Sequence, residues 1–256
     1  MAEINSYQPE ILLRYLSSKD VYIFKAIASE AKLIAEVGVL FGGFAIHALL
    51  NSHASRLIGI DPFNWDGGSE ARASLESFVA GAGVSDRFEL LSNWQQVDTT
   101  DAFDVIHIDG EHSEKATLED FRRASAVLND SGVIICDDWS HPMFPGVQSA
   151  MHLFMAESDF RLFAVTDRKA YLCRTAHHSE IQNRLVDKLL ADKDVAWCWQ
   201  HGRVPTGYDG ESAAPDQSGP IGAVANHPIE GMVQGRRVAM VLGPFKVEIS
   251  EGTKVG

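Results

Sequence analysis

The chain has 256 residues, 45% of them hydrophobic, and a formal net charge of −13 at pH 7. That size and apolar content allow one large domain, or an ordinary domain plus an appendage, around a proper core. The acidic balance argues against nucleic-acid and anionic-membrane surfaces, which need a basic patch, and makes a small-molecule ligand the better expectation.

Cys136, Cys173 and Cys198 stand singly in apolar surroundings without CxxC spacing. Neither a disulfide framework nor a zinc knuckle is indicated, and a reducing, cytoplasmic location fits. The first ten residues lack the basic flank and apolar centre of a signal peptide. The most membrane-like window, 33–50, carries Glu36, His47 and three glycines, so no transmembrane span is expected.

In chain order, apolar residues fall at helical spacing over 9–16 (Ile11, Leu12, Tyr15, Leu16) and 20–31 (Ile23, Phe24, Ile27, Ala28), with Pro9 suited to a first turn and Asp20 to an N-cap. These N-terminal helices, residues 1–30, either cover a sheet or also close over a substrate. Residues 33–37 read as a short buried strand, followed by a glycine turn and a helix over 45–50. A strand over 56–60 ends on Asp61. A helix over 69–82, strands over 87–91 and 103–108, a helix over 118–128, a strand over 132–136 and a helix over 147–157 continue the alternation. Strands over 160–165 and 170–174, joined by Thr166-Asp167-Arg168-Lys169, have hairpin spacing.

Alternating β/α units predict an α/β fold, a doubly wound seven-stranded mostly parallel sheet over residues 31–175, and the terminal hairpin predicts an antiparallel strand at its edge. Residues 176–256 form a C-terminal extension: a helix over 179–191, the aromatic cluster Trp197-Cys198-Trp199, a Gly/Pro-rich loop over 201–235, and a hairpin of 238–242 with 245–249 around Gly243-Pro244. The loop reads as a surface linker, a lid or a contact within a homo-oligomer.

The run from Asp104 to Trp139, DVIHIDGEHSEKATLEDFRRASAVLNDSGVIICDDW, carries the densest chemistry. Its two apolar strands empty into Asp109 and into Asp137-Asp138, which parallel strands would bring side by side at their carboxyl ends, where open α/β sheets bind ligands. With Glu111 and His112 close behind, these carboxylates would form an oxygen-rich cup suited to a hard divalent cation; one of the three could instead cap a helix or coat the sheet edge.

Upstream, Glu36-Val37-Gly38-Val39-Leu40-Phe41-Gly42-Gly43 places Leu40 where a dinucleotide fingerprint needs its second glycine, so pyrophosphate is disfavoured. A strand-end carboxylate and a glycine bend suit a positively charged, amino-acid-like ligand, or simply turn the chain. Asp61 lies at the spacing from which an acid bonds ribose hydroxyls, although a loop carboxylate or helix cap would look alike. His107, inside a strand, reads as a packed residue. His141 fits a pocket wall or a loop, and His177-His178 have no partner at metal spacing.

E-x-G-x-x-x-G, an acid closing the second strand, seven strands with a terminal hairpin, and IDGEHS followed by DDW resemble the class I S-adenosylmethionine (SAM)-dependent methyltransferases. More narrowly, they resemble the metal-dependent O-methyltransferase branch of methyltransferase-24, or macrocin O-methyltransferase, type. The resemblance spans residues 31–174 and implies a Rossmann-like methyltransferase fold. It implies that Glu36, Gly38 and Gly42 cradle the methionine part of SAM, that Asp61 holds its ribose, and that adenine lies near Ser92 to Trp94. Phe44 stands where the family often begins the helix with a small hydroxylic residue. Asp109, Asp137 and Asp138 match the family's divalent-cation ligands, with Mg²⁺ favoured by oxygen donors. His112 matches the position of the catalytic base, and an unperturbed imidazole accepts a proton at neutral pH; Glu111 is the rival. The implied reaction is methylation of a hydroxyl on a small molecule, preferably a sugar or another vicinal-diol or catechol group of a secondary metabolite. A non-catalytic SAM-binding scaffold and an NAD-dependent oxidoreductase are the alternatives, the latter opposed by Leu40.

Overall fold

The computed structural model describes residues 18–166 and 168–191, together with short strands at 232–233, 236–237, 239–242 and 246–248. The helix expected over 9–16, the cluster Trp197-Cys198-Trp199 and most of the Gly/Pro-rich stretch lie outside the described residues.

The elements are α1 (Ser18–Ala28), β1 (Leu33–Val37), α2 (Gly43–Asn51), β2 (Arg56–Ile60), α3 (Gly68–Gly81), β3 (Phe88–Leu91), β4 (Phe103–Ile108), α4 (Glu114–Val127), β5 (Leu128–Cys136), α5 (Pro145–Glu157), β6 (Phe160–Val165), β7 (Ala170–Arg174) and α6 (His178–Ala191). The described C-terminal strands are β8 (Met232–Val233), β9 (Arg236–Arg237), β10 (Ala239–Leu242) and β11 (Lys246–Glu248). The main sheet has the order β11-β10-β6-β7-β5-β4-β1-β2-β3. Among the seven strands β1 to β7, β7 alone runs antiparallel to its neighbours, so the expected doubly wound sheet and hairpin are found, but the antiparallel strand is not at the edge: β7 inserts between β5 and β6, and β6 is covered in turn by β10. The C-terminal hairpin, β10 with β11, extends this sheet through a parallel pairing of β10 with β6.

The central strands are apolar on both faces because both faces are covered. Against one face pack α1, α2, α3 and α6, through residues such as Phe24, Ile46, Leu75 and Leu185. Against the other pack α4 and α5, through Phe121, Met151 and Phe154. Phe121 and Phe154 stack at 4.9 Å between ring centroids, and neither is more than 2% exposed. Truncating such a residue to Ala removes about 3–5 kcal/mol. In α2 every residue from Gly43 to Leu49 is buried, as the all-round apolar sequence of that helix requires.

Sequence periodicity misplaces three boundaries. Helix α4 begins at Glu114 and not at 118, because the Ser113 side chain caps it by accepting from the Ala116 amide at 3.3 Å; its first turn is polar and lacks the apolar stripe. Strand β5 begins at Leu128, ahead of the polar residues Asn129 to Ser131. Asp20 is no N-cap, since α1 already includes Ser18. Its carboxylate is buried and accepts hydrogen bonds from Thr166 Oγ1 at 2.9 Å and Tyr171 Oη at 2.8 Å, which ties α1 to the β6–β7 hairpin. Among the described residues, no helix is long and apolar enough to cross a membrane.

Candidate active site

The order β3-β2-β1-β4-β5 reverses direction between β1 and β4, the position at which such sheets open a ligand crevice. The parallel ladder runs one residue past the strand ends: the amides of Gly38, Asp109 and Asp137 donate to the carbonyls of Ile60, Val37 and Ile108 at 3.0, 2.8 and 2.9 Å. Glu36, Asp109 and the Asp137-Asp138 pair are thereby fixed by backbone geometry at one end of the sheet. A cleft opens there, lined by Glu36, Gly38, Val39, Leu40, Phe41, Gly43, Phe44, His107, Asp109, Asp137 and Lys169.

On the first side of this cleft lies the glycine turn. Gly38 has φ +78°, and a Cβ there would stand 1.9 Å from the Asp109 carbonyl oxygen, so glycine is what lets the β1 and β4 turns touch. Gly42, with its amide on the Val39 carbonyl at 2.8 Å, closes the turn against Leu75. Leu40 is held at φ +49°, an uncommon conformation for a branched side chain. The Asp61 carboxylate braces this conformation: Oδ2 accepts from the amides of Val39 and Leu40 at 2.9 and 3.1 Å, and Oδ1 from Phe63 at 2.9 Å. Asp61 is therefore first a support of the turn. Ser92 is exposed after β3, where its amide donates to Gln96 Oε1 at 2.7 Å. Beside it, Trp94 Nε1 donates to Asp120 Oδ1 at 2.8 Å, and burial pushes the Asp120 carboxyl up to about 6.

Glu36 is 2% exposed, and its Oε2 is buried without a hydrogen-bond partner. Burial, followed by the charge of Asp109, drives its pKa well above the carboxylate range. The Ala45 amide, in the first turn of α2, offsets part of that shift without satisfying Oε2. The other oxygen, Oε1, lies 3.2 Å from His107 Nδ1. His107 is thus more than the packed strand residue its sequence position suggests. Its Nε2 lies 3.0 Å from Nζ of Lys169, and its ring stacks beneath Phe44 at 3.9 Å. Lys169 is 2% exposed and also donates to Asp137 Oδ2. Neither His107 nor Lys169 stands out in the sequence. The signal for His107 is register, because β1 and β4 pair Glu36 directly with His107; Lys169 lies in the hairpin turn, where a lysine ordinarily faces solvent.

On the second side is the acidic cup, which the structure divides. Burial alone would raise the Asp137 pKa, but the Lys169 ammonium wins and holds it well below the carboxylate range. Its Oδ1 accepts from the Asp138 amide at 2.8 Å, so both oxygens are engaged. Asp109 and Asp138 instead converge on His112, whose Nε2 lies 3.6 Å from Asp109 Oδ1 and 3.4 Å from Asp138 Oδ2. That nitrogen is buried and forms no hydrogen bond of good geometry. The facing carboxylates of Asp109 and Asp138 push the imidazole up to about 9, and burial pushes Asp109 up to about 6. The expectation of an unperturbed imidazole is therefore corrected. Asp138 takes φ +53° to aim its side chain at His112, a strained conformation of the kind that collects at functional sites.

Arg168 stands at the rim with Nη2 3.4 Å from Asp138 Oδ1. Three cations, Lys169, Arg168 and His112, thus face the three carboxylates. Phe144 stacks on His112 at 4.0 Å and on His141 at 4.7 Å, which brings His141 to the same wall. Gly146 lets α5 start against this wall, as a Cβ there would meet the Glu114 amide at 2.6 Å and the His112 carbonyl at 2.8 Å. Glu111 is exposed, and its charge registers on Asp120.

The donor set fits a cation in part. Single ligand atoms of Asp109, His112 and Asp138 lie within 4.8 Å of one another, as do those of His107, Asp109 and Asp137. In the second group Lys169 already occupies both His107 and Asp137.

Residues 35–139, from β1 to the end of β5, match the family model described as a methyltransferase domain. No curated protein matches the sequence. Among solved structures, the chain is similar to the O-methyltransferase TomG from Streptomyces achromogenes, involved in tomaymycin synthesis and in complex with SAM, at 18% identity and a TM-score of 0.48 over 61% of this chain and 78% of that one. An O-methyltransferase from Bacillus cereus in complex with SAH gives 20% identity and a TM-score of 0.46, over 64% and 78% of the two chains. The SAH-bound Podospora anserina methyltransferase PaMTH1 gives 18% identity and 0.48, over 65% and 85%.

Proposed function

From the match of residues 35–139 to the family described as a methyltransferase domain, we propose that the protein transfers a methyl group from SAM to a hydroxyl of a small molecule, preferably a sugar or another vicinal-diol or catechol group of a secondary metabolite. The observation that carries this reading is the unpartnered, buried Oε2 of Glu36, lining a cleft whose other side is a carboxylate–imidazole cup. A buried carboxylate oxygen without a donor calls for a cationic ligand. SAM carries an ammonium beside its sulfonium, and when bound it supplies the methyl group that the acceptor oxygen takes.

The residues divide the work. Glu36 receives the positive end of the donor, and Gly38 and Gly42 shape the turn around it. Asp61 holds that turn and offers its remaining lone pairs to the ribose, with Ser92 on the adenine side. His112 is the proposed base, and Glu111 takes that role only if its exposed side chain swings inward. Removing a positioned base of this kind costs roughly 10²–10⁴ in rate. Holding acceptor and donor in attack geometry supplies several further kcal/mol, up to about 7–11 in well-oriented systems.

Asp109, Asp137 and Asp138 remain the proposed ligands of a divalent cation, Mg²⁺ for preference, with an order of availability set by their partners. Asp109 and Asp138 face His112, whereas Asp137 must exchange with Lys169 to take part. Bound there, such an ion supplies a charge that lowers the pKa of an acceptor hydroxyl. A second reading keeps the reaction and omits the ion. It is favoured by the three cationic side chains that already face the three carboxylates.

Calorimetric titration of the purified protein with SAM tests the donor, and absence of any heat in several buffers removes it. Methyl transfer that stops with EDTA and returns with Mg²⁺ selects the metal reading; turnover indifferent to chelation selects the second.

A further inference from the structure

The chain of contacts from Asp137 through Lys169 and His107 to Glu36 crosses from the cup to the cleft and has a defined direction. An ammonium has donors and no acceptor, so His107 Nε2, 3.0 Å from Lys169 Nζ, must be the acceptor. The proton of the neutral imidazole is then on Nδ1, which donates to Glu36 Oε1 at 3.2 Å. Phe44, stacked at 3.9 Å, fixes the plane of the ring. Both Glu36 and His107 are at most 2% exposed, so no solvent competes for these bonds. The carboxyl group is pinned by one oxygen, and the other, Oε2, is buried without a partner in a residue that lines the cleft.

We propose that His107 and Lys169 are positioning residues: Lys169 selects the imidazole tautomer, and His107 thereby orients Glu36 to receive the ammonium of the methyl donor. This inference rests on the SAM reading above. One buried ammonium consequently holds Asp137 on the acceptor side and, through the imidazole, Glu36 on the donor side.

The test compares binding of S-adenosylhomocysteine, which has the amino-acid ammonium, with 5′-methylthioadenosine, which shares the nucleoside and thioether but lacks it. Removing Lys169 leaves buried Asp137 without its counter-charge and endangers folding, so the decisive variants are at His107. His107→Asn keeps a donor at the Nδ1 position; His107→Phe keeps the ring under Phe44 and loses the donor. The proposal expects His107→Phe to weaken S-adenosylhomocysteine about tenfold or more while methylthioadenosine changes less than about twofold, and His107→Asn to restore most of the lost affinity. Nitrogen-15 NMR of the imidazole in the unliganded parent should show a protonated Nδ1 and a bare Nε2. Equal S-adenosylhomocysteine affinity in parent and His107→Phe, or an Nε2-protonated tautomer, overturns this proposal alone. A parent that binds neither ligand overturns the SAM reading and this inference with it.

Discussion

His112 Nε2 sits 3.4 Å from Asp138 Oδ2 and 3.6 Å from Asp109 Oδ1, a base enclosed by two acids. The acids hold the imidazole proton up to about pH 9, so at pH 7 about one molecule in a hundred carries the free base. Turnover by the protein alone should therefore climb about tenfold per pH unit from 7 toward 9. A cation that engages the same carboxylates should move this limb to lower pH. His112→Ala should lower kcat by roughly 10²–10⁴ with little change in SAM affinity. A flat kcat–pH profile together with a fast His112→Ala variant would hand the base role to Glu111 or to solvent.

Glu36 supplies a binding signal that needs no acceptor. Burial, followed by the charge of Asp109, raises its pKa well above the usual carboxylate range, and a cationic ligand at Oε2 favours the ionised form. Cofactor binding should consequently release a proton. Calorimetric titrations at one pH in buffers of low and high ionisation enthalpy should differ in observed heat by that fraction of a proton. Glu36→Gln should abolish the difference and weaken SAM by about 1.5–3 kcal/mol, the worth of a charge-assisted hydrogen bond.

Both the architecture and the carboxylates were legible in the sequence because each rests on local pattern. Apolar strands that end on acids, separated by helical runs, give the parallel order, and Asp109, Asp137 and Asp138 follow from strand ends alone. Their partners were not legible. That Asp137 is taken by Lys169 depends on how the hairpin docks, and hairpin turns ordinarily point their lysines to water. His107 is polar inside an apolar strand, and only its pairing with Glu36 gives it a role. The rise in His112's affinity for protons comes from Asp109 first and Asp138 second, and that both carboxylates converge on one imidazole, Asp138 from a backbone of positive φ, is announced by no pattern.

Asp61 separates support from recognition. Three backbone amides use its carboxylate, so Asp61→Ala leaves them without acceptors and should cost about 1–3 kcal/mol of stability for each that stays buried and unsatisfied. SAM affinity should fall as Leu40 leaves its left-handed conformation. Asp61→Asn can still accept through one oxygen and should recover part of both losses. Thermal unfolding and calorimetry on the same samples check this, and an Asp61→Ala protein with parental melting temperature would contradict the brace.

Asp120 offers a test confined to stability. Its folded pKa, about 6, lies above the ordinary value of 3.8 because burial raises it by more than the hydrogen bond from Trp94 Nε1 lowers it. A raised folded pKa means that the protonated side chain is the one the fold prefers, so its contribution is fully present below about pH 4 and is lost as pH rises through about 6. Asp120→Asn removes the charge and can keep the bond from Trp94. It should melt a few degrees higher than the parent at pH 8, about 2–4 °C for each kcal/mol in a chain of this size. The gain should shrink between pH 6 and 4 and vanish below that. Melting curves of both proteins across this range decide it: an advantage for Asn that grows toward acid pH would show that Asp120 is stabilised, and not strained, by its ionised form.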